Sequence, residues 1–242
     1  MTPVAPLLEA LRASFAAHAD AARAPAMQAY MKSAMPYRGI ATPLRRELTN
    51  DAVRTHPLSD SASLADAMRT LWRSAEYREE RYAALELGRT GVHARLFDAS
   101  LLPVYEEMIV SGAWWDYVDD ISGTALARLW LEEPRLTKPL LKRWARGDDM
   151  WLRRAAMLCQ RRLKQGFDAE LFYDCILPSI GSGRFAREFF ICKGIGWALR
   201  ERSYAAPDEV MAFLREYGAQ LSPLTKREAM KVILRNKAAL GT

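Results

Sequence analysis

Apolar residues return with a helical period along nearly the whole chain. Trp114, Val118, Ile121, Ala125 and Leu129 form an i, i+4, i+7 stripe, which predicts a helix buried along one side. The segment Trp151–Lys164 repeats the pattern with Trp151, Ala155, Leu158 and Cys159, and Arg154 and Arg161, seven residues apart, share its flank. No convincing alternating strand pattern occurs. The breaks read as helix punctuation: Thr42-Pro43, Ala206-Pro207 and Ser222-Pro223 place Pro where a first helical turn tolerates it, twice behind a hydroxyl able to cap. These patterns predict an all-α protein.

Trp115 and Asp119 fall off the first stripe. They stand four residues apart, so an indole and a carboxylate lie one above the other on a face that need not be core. A broad π-surface beside an anion suits a cation, or a centre that becomes cationic during a reaction. A packing reading stands beside this one, because tryptophans mostly pack and an aspartate often caps a helix or pairs with arginine. Trp114 belongs to the core side, and Asp116 reads as a cap or ion-pair partner.

A faint internal repeat widens the picture. Similar helical segments are anchored at Ala83, Asp119, Ala155, Gly194 and Ala229, at intervals of 36, 36, 39 and 35 residues. That period accommodates two antiparallel helices with their turns, the unit of a HEAT-like solenoid, in which stacked pairs share a core and leave a concave surface. If the second helix of each pair lines that surface, Trp115, Asp119, Arg154, Trp197 and Arg200 converge on it.

Composition changes this only in part. Half of the 242 residues are hydrophobic, a quarter are charged, and the length allows one extended or two small compact domains. The first 26 residues carry Glu9, Arg12 and Asp20, which interrupt any signal-peptide core, and no run is long enough to span a membrane. The three cysteines are widely separated without a CxxC pair, and the three histidines are scattered. This favours a reducing cytoplasm and no metal site. Charge is asymmetric: residues 1–120 hold 13 Lys+Arg against 16 Asp+Glu, and residues 121–242 hold 22 against 13. A polyanionic partner such as nucleic acid fits the basic half, and so does a merely solvated basic face. The Glu79-Glu80-Arg81 run and the Arg161-Arg162-Lys164 cluster read most simply as solvated faces.

Five motifs then occur in order: Tyr30-Met31-Lys32, Gly39 to Arg46, Trp114 to Asp119, Trp151 to Ala156, and Phe189 to Glu201. Together they give the chain a resemblance, over almost its whole length, to the AlkD-type DNA alkylation repair glycosylases. The resemblance implies a single domain over residues 1–242, a right-handed superhelical solenoid of HEAT-like repeats with a concave DNA-binding face. It implies action on double-stranded DNA, with hydrolysis of the N-glycosidic bond of N3- or N7-alkylated purines without metal or cofactor. A monomer is the simplest expectation for a protein that must wrap around a duplex, in the cytoplasm and nucleoid-associated when bound. Asp119 matches the family's catalytic carboxylate, Trp115 and Trp197 the two indoles about the damaged nucleotide, and Arg154 the basic residue that holds the backbone near the lesion. Arg200 resembles a further backbone contact, and Tyr30 an aromatic bordering the site. Cys192 and Gly194 depart from the pattern, where a larger polar residue and an alanine are expected. A non-catalytic damage-binding module and a HEAT-repeat protein scaffold are the other readings.

Overall fold

The computed structural model describes residues 4–239, and among them every regular element is helical. The chain divides between Met108 and Ile109 into two compact units.

The first unit contains α1 (Val4–Ala17), α2 (Ala24–Met31), α3 (Thr42–Thr55), α4 (Ser61–Arg73) and α5 (Arg78–Leu87), followed by the start of α6 (Leu102–Gly112). Its core is apolar and fully enclosed, with Leu7, Leu11 and Phe15 of α1 and Leu64, Met68, Leu71 and Trp72 of α4 each at most 1% exposed. Helix α3 starts at Thr42 with Ala41 in the cap position, so Pro43 sits in the first turn, where its missing N–H costs no helical bond. The Glu79-Glu80 pair differs from its expected solvated face: both residues are buried. Glu79 accepts the backbone N–H groups of Arg38, Gly39 and Ile40, and Glu80 receives Arg12 and lies within reach of Arg38. The carboxylates tie the loop before α3 to α5, which satisfies donors that no helix serves.

The second unit carries α7 (Trp115–Ile121), α8 (Ala127–Glu132), α9 (Pro134–Arg146), α10 (Met150–Leu158), α11 (Ala169–Ile176), α12 (Phe189–Arg202), α13 (Pro207–Tyr217) and α14 (Pro223–Ala239). The repeat anchors all fall in helices: Ala83 in α5, Asp119 in α7, Ala155 in α10, Gly194 in α12 and Ala229 in α14. Within this unit α7 packs on α10, α10 on α12 and α12 on α14, while α9 lies against both α10 and α11. Neighbouring helix pairs thereby share their apolar faces. Two glycines set the spacing. A Cβ on Gly194 would lie 2.9 Å from the Arg154 guanidinium on α10, and one on Gly196 would lie 2.6 Å from Glu228 Cβ on α14.

Helix ends refine the sequence reading. Ser222 caps α14, its hydroxyl accepting from the backbone N–H of Thr225 at 3.1 Å. The segment expected to be helical to Lys164 stops at Leu158 and passes through turns over residues 159–162. Trp114 precedes its helix in an extended conformation (φ −147°), and Ala113 before it takes a left-handed φ of 42°. Such a φ is strained for a residue with a Cβ, and it makes the sharp corner that starts α7. Trp114 is half-buried against Trp151 and Phe190, with ring centroids 6.3 and 5.4 Å away. Beyond Ile121 the backbone widens into a π-helical turn, Ser122–Leu126.

Candidate functional site

Helix α7 is short and offers two faces. Tyr117, Val118 and Ile121 are at most 1% exposed, while Trp115 and Asp116 stay partly open. Asp119 lies between these regimes at 7% exposed, enclosed but not sealed. Its carboxylate meets Arg154 of α10 in a two-point fork: Nε reaches Oδ1 and Nη2 reaches Oδ2, each at 2.8 Å. Arg154 is itself buried, and its Nη1 donates to the carbonyl of Phe190 at the start of α12. One guanidinium therefore binds three consecutive layers, α7, α10 and α12. Gly194 leaves the room that it occupies.

Burial pushes the Asp119 carboxyl above its ordinary value, and Arg154 and Arg161 pull against that rise. Each carboxylate oxygen receives a charge-assisted bond from a group that does not lose its proton, which favours the anionic form of Asp119. Each oxygen keeps a further lone-pair direction for another partner.

A second cation stands behind the first. Arg161 belongs to the turn after α10, is 8% exposed, and donates from Nη1 to the main-chain carbonyl of Asp119 at 3.3 Å. Its guanidinium lies 4.5 Å from the centre of the Trp197 indole. The solvated position expected for Arg161 is thus replaced by a buried one, whereas Arg162 and Lys164 are exposed. Space for it comes from Gly123 in the π-helical turn, where any Cβ would overlap the guanidinium. The seven-residue interval to Arg154 was a visible signal for this group; its burial was not.

Trp197 is half-buried on α12, and its indole N–H donates to Glu201 at 2.8 Å. Arg200, one turn later, donates to Glu228 of α14 at 2.9 Å and lies 4.0 Å from Glu201. The two indoles, Asp119, Arg154 and Arg200 line one pocket of about 500 Å³ within the second unit. Phe189, Phe190 and Lys193 of α12 add an aromatic and basic wall to it. Of the residues singled out in the sequence, Trp115, Asp119, Arg154, Trp197 and Arg200 come together here. Arg154, expected to hold the DNA backbone near the lesion, is 3% exposed, and its guanidinium is taken up by Asp119 and Phe190. Tyr30 belongs to the first unit, on α2, and is 76% exposed.

The sequence assigns no role to Glu228 or Lys193, because nothing in a single helical period shows that three cations will meet one carboxylate. Among the described residues no group of three or more His, Cys, Asp or Glu is placed to hold a metal ion, and no helix is long and apolar enough to cross a membrane.

The pocket thus joins a clamped carboxylate and two indoles to a wall of basic side chains in an all-helical protein. The chain belongs to the DNA alkylation repair enzyme family, whose model matches residues 11–233. A solved structure described as a predicted DNA alkylation repair enzyme from Enterococcus faecalis is similar to it, with 27% sequence identity and a TM-score of 0.76. The likeness covers 88% of this chain and 95% of that one. No curated protein matches the chain.

Proposed function

We propose that this repair enzyme is a monofunctional alkylpurine DNA glycosylase acting on duplex DNA, with the pocket of the second unit as its active site. The observation that carries the reading is Asp119, favoured as an anion by the Arg154 fork and lining the same pocket as Trp115 and Trp197.

The chemistry asks for little more. A purine alkylated at N3 or N7 carries formal positive charge, so its glycosidic bond is weakened and the base leaves without being protonated. What remains is to stabilise the sugar as it turns oxocarbenium-like and to place a water for attack. One carboxylate serves both needs, by electrostatic attraction and by accepting a proton-side hydrogen bond from the water. Asp119 supplies that carboxylate with a fixed orientation. Trp115 and Trp197 offer π-faces to the sugar or the cationic base, each contact adding roughly 0.5–2 kcal/mol. Attraction for positive charge gives a selectivity rule in which cationic adducts are cleaved and neutral ones spared.

The roles of the other residues follow. Arg154 orients Asp119, and Arg200 faces the DNA backbone from the pocket wall; Tyr30 is an exposed ring of the first unit, offered as a DNA contact of that unit by itself. A non-catalytic damage-binding module is the second reading, favoured by one observation: both Asp119 oxygens already have a partner. Release of 7-methylguanine from methylated duplex DNA decides between the two. Release by the wild-type protein that is lost in Asp119→Asn, with DNA affinity retained, supports the glycosylase. Binding without release supports the module.

A further inference from the structure

The pocket's outer wall contains an ion cluster with unbalanced charge. Glu228 of α14 is 2% exposed, and Lys193, Lys231 and Arg200 all converge on it. Lys193 Nζ and Lys231 Nζ each donate to Oε1 at 2.7 Å, while Arg200 Nη1 donates to Oε2 at 2.9 Å. The shared load holds the Glu228 carboxyl well below the usual carboxylate range, at about 2, against the opposing effect of burial. The lysine side chains nevertheless keep 40% and 49% of their surface open, so their remaining donors face solvent. Glu228 thus holds three cations, of which only Arg200 also lies near a second carboxylate, Glu201 at 4.0 Å, and all four side chains line the pocket that contains Asp119.

Such an arrangement is poor as a stability device, since the surplus cations repel one another at close range. It becomes favourable when a further anion arrives from solvent. Its construction also depends on a specific helix contact: α14 approaches α12 closely only because Gly196 has no side chain, and Thr225 fixes the approach by donating to the Cys192 carbonyl at 2.9 Å.

We propose that Lys193 and Lys231, oriented by Glu228, form a clamp for a DNA phosphodiester next to the nucleotide held in the pocket, with Glu228 as a positioning residue. The assignment of a nucleotide to the pocket rests on the glycosylase reading above. The clamp's own content is electrostatic: two ammonium groups replace counterions at the phosphate, and the buried carboxylate stops them from splaying apart.

The test is a salt titration of binding to an undamaged duplex, followed by fluorescence anisotropy, for the wild type and for Lys193→Gln, Lys231→Gln, the double variant and Glu228→Gln. If both lysines meet phosphate, the slope of log K against log salt becomes shallower by up to about 0.9 for each lysine lost. Glu228→Gln separates position from charge. It makes the protein one unit more positive, which by itself tightens DNA binding, whereas the clamp requires weaker binding because the lysines lose their anchor. Unchanged slopes in the lysine variants, or tighter binding by a folded Glu228→Gln, overturn the clamp. Should Glu228→Gln fail to fold, the lysine variants decide alone, since their side chains are half-open. Single-turnover release of 7-methylguanine at saturating enzyme keeps the two ideas apart. If the wild type releases no base while the slopes change as expected, the glycosylase reading falls and the clamp stands as a DNA-binding site.

Discussion

Two buried arginine–carboxylate forks, one in each unit, use the same chemistry for different ends. In the first unit Arg45 meets Glu86, with Nη2 to Oε1 at 2.7 Å and Nε to Oε2 at 3.3 Å; in the second, Arg154 meets Asp119 at 2.8 Å twice. Both pairs are at most 7% exposed. Around Glu86 a second guanidinium, Arg46, reaches the carboxylate at 3.4 Å, and Arg45 lies 4.5 Å from the Tyr82 ring, whose hydroxyl is bonded to Tyr37 and Arg78. Glu86 opens on a smaller polar pocket of about 220 Å³ lined by Arg46, Thr49, Asn50, Arg89 and Thr90. At Asp119 the second guanidinium is diverted to the main-chain carbonyl, leaving the carboxylate to Arg154, and the larger pocket presents indoles. A fork fixes a carboxylate wherever it occurs. What the carboxylate can then do depends on whether its open side meets further cations or a surface suited to hold one.

The sharpest break in this comparison is to remove each anion in turn. Asp119→Asn should lower the rate of base release by on the order of 10²-fold or more, as expected when a preorganised charge facing a transition state is lost. Glu86→Gln should leave the single-turnover rate of folded enzyme near the wild-type value, and its cost should appear in a thermal melt. An Asp119→Asn enzyme that releases base at the wild-type rate would make the two forks equivalent and both structural.

Removing the cations should cost both units stability. Arg154→Gln leaves Asp119 buried without its forked partner, a loss of about 3–5 kcal/mol readable by denaturant unfolding, whereas in Arg45→Gln the Arg46 guanidinium still reaches Glu86 and the loss should be smaller. Arg154→Gln should also alter the pH dependence of base release. The Asp119 carboxyl is raised by burial, so the folded protein holds that proton more tightly than the unfolded chain, for which the value is about 3.9. Asp119's contribution to stability therefore falls as pH rises from that value through the folded one, and base release rises through the folded value as the carboxylate ionises. Without Arg154 the acid limb should move to higher pH. Glu228 behaves oppositely: its contribution is present above the ordinary glutamate range and is lost as pH falls toward about 2. An acid limb unmoved in Arg154→Gln would remove Asp119 as the group that sets it.

How much of this was visible beforehand depends on whether the signal was periodic. The positions spaced by about one helix pair fall in α5, α7, α10, α12 and α14, and helical phase separated buried Val118 from half-open Trp115. Both are local facts written into one dimension. Phase failed where the backbone leaves the ideal helix: Trp114 is extended, and the helix expected through Lys164 ends at Leu158. It also could not assign partners. Glu79 and Glu80 look like a solvated run until the 38–40 loop brings its N–H groups to Glu79 and Arg12 reaches Glu80. Arg161 looks solvated until Gly123 and the π-helical turn make room for it.

That same arginine gives a smaller, sharper test. Arg161→Gln removes the cation stacked on Trp197 and replaces its bond to the Asp119 carbonyl with a shorter, neutral donor. A contact of this kind is worth roughly 0.5–2 kcal/mol, so single-turnover release should slow by about 2- to 30-fold with duplex affinity little changed. Arg161→Lys should restore part of the rate if charge behind the indole matters, and none if only the planar stack does. Equal rates in all three proteins would mean that Trp197 needs no support from behind.

The smallest expected effect concerns Gly194, where the family pattern leads one to expect alanine. Alanine in place of a helical glycine gains about 1 kcal/mol from reduced backbone freedom. Here that gain is opposed, because the new Cβ would lie 2.9 Å from Arg154 Nη1 and 3.2 Å from the Met157 sulfur. The sulfur sits on a flexible chain and can yield, whereas the guanidinium is held at three points. Gly194→Ala should consequently melt within a degree or two of the wild type while releasing base more slowly, because any adjustment of Arg154 tilts the Asp119 carboxylate. A variant with the wild-type rate would show that the fork tolerates such displacement, and that its geometry is set at the α7 end and not by the space left at α12.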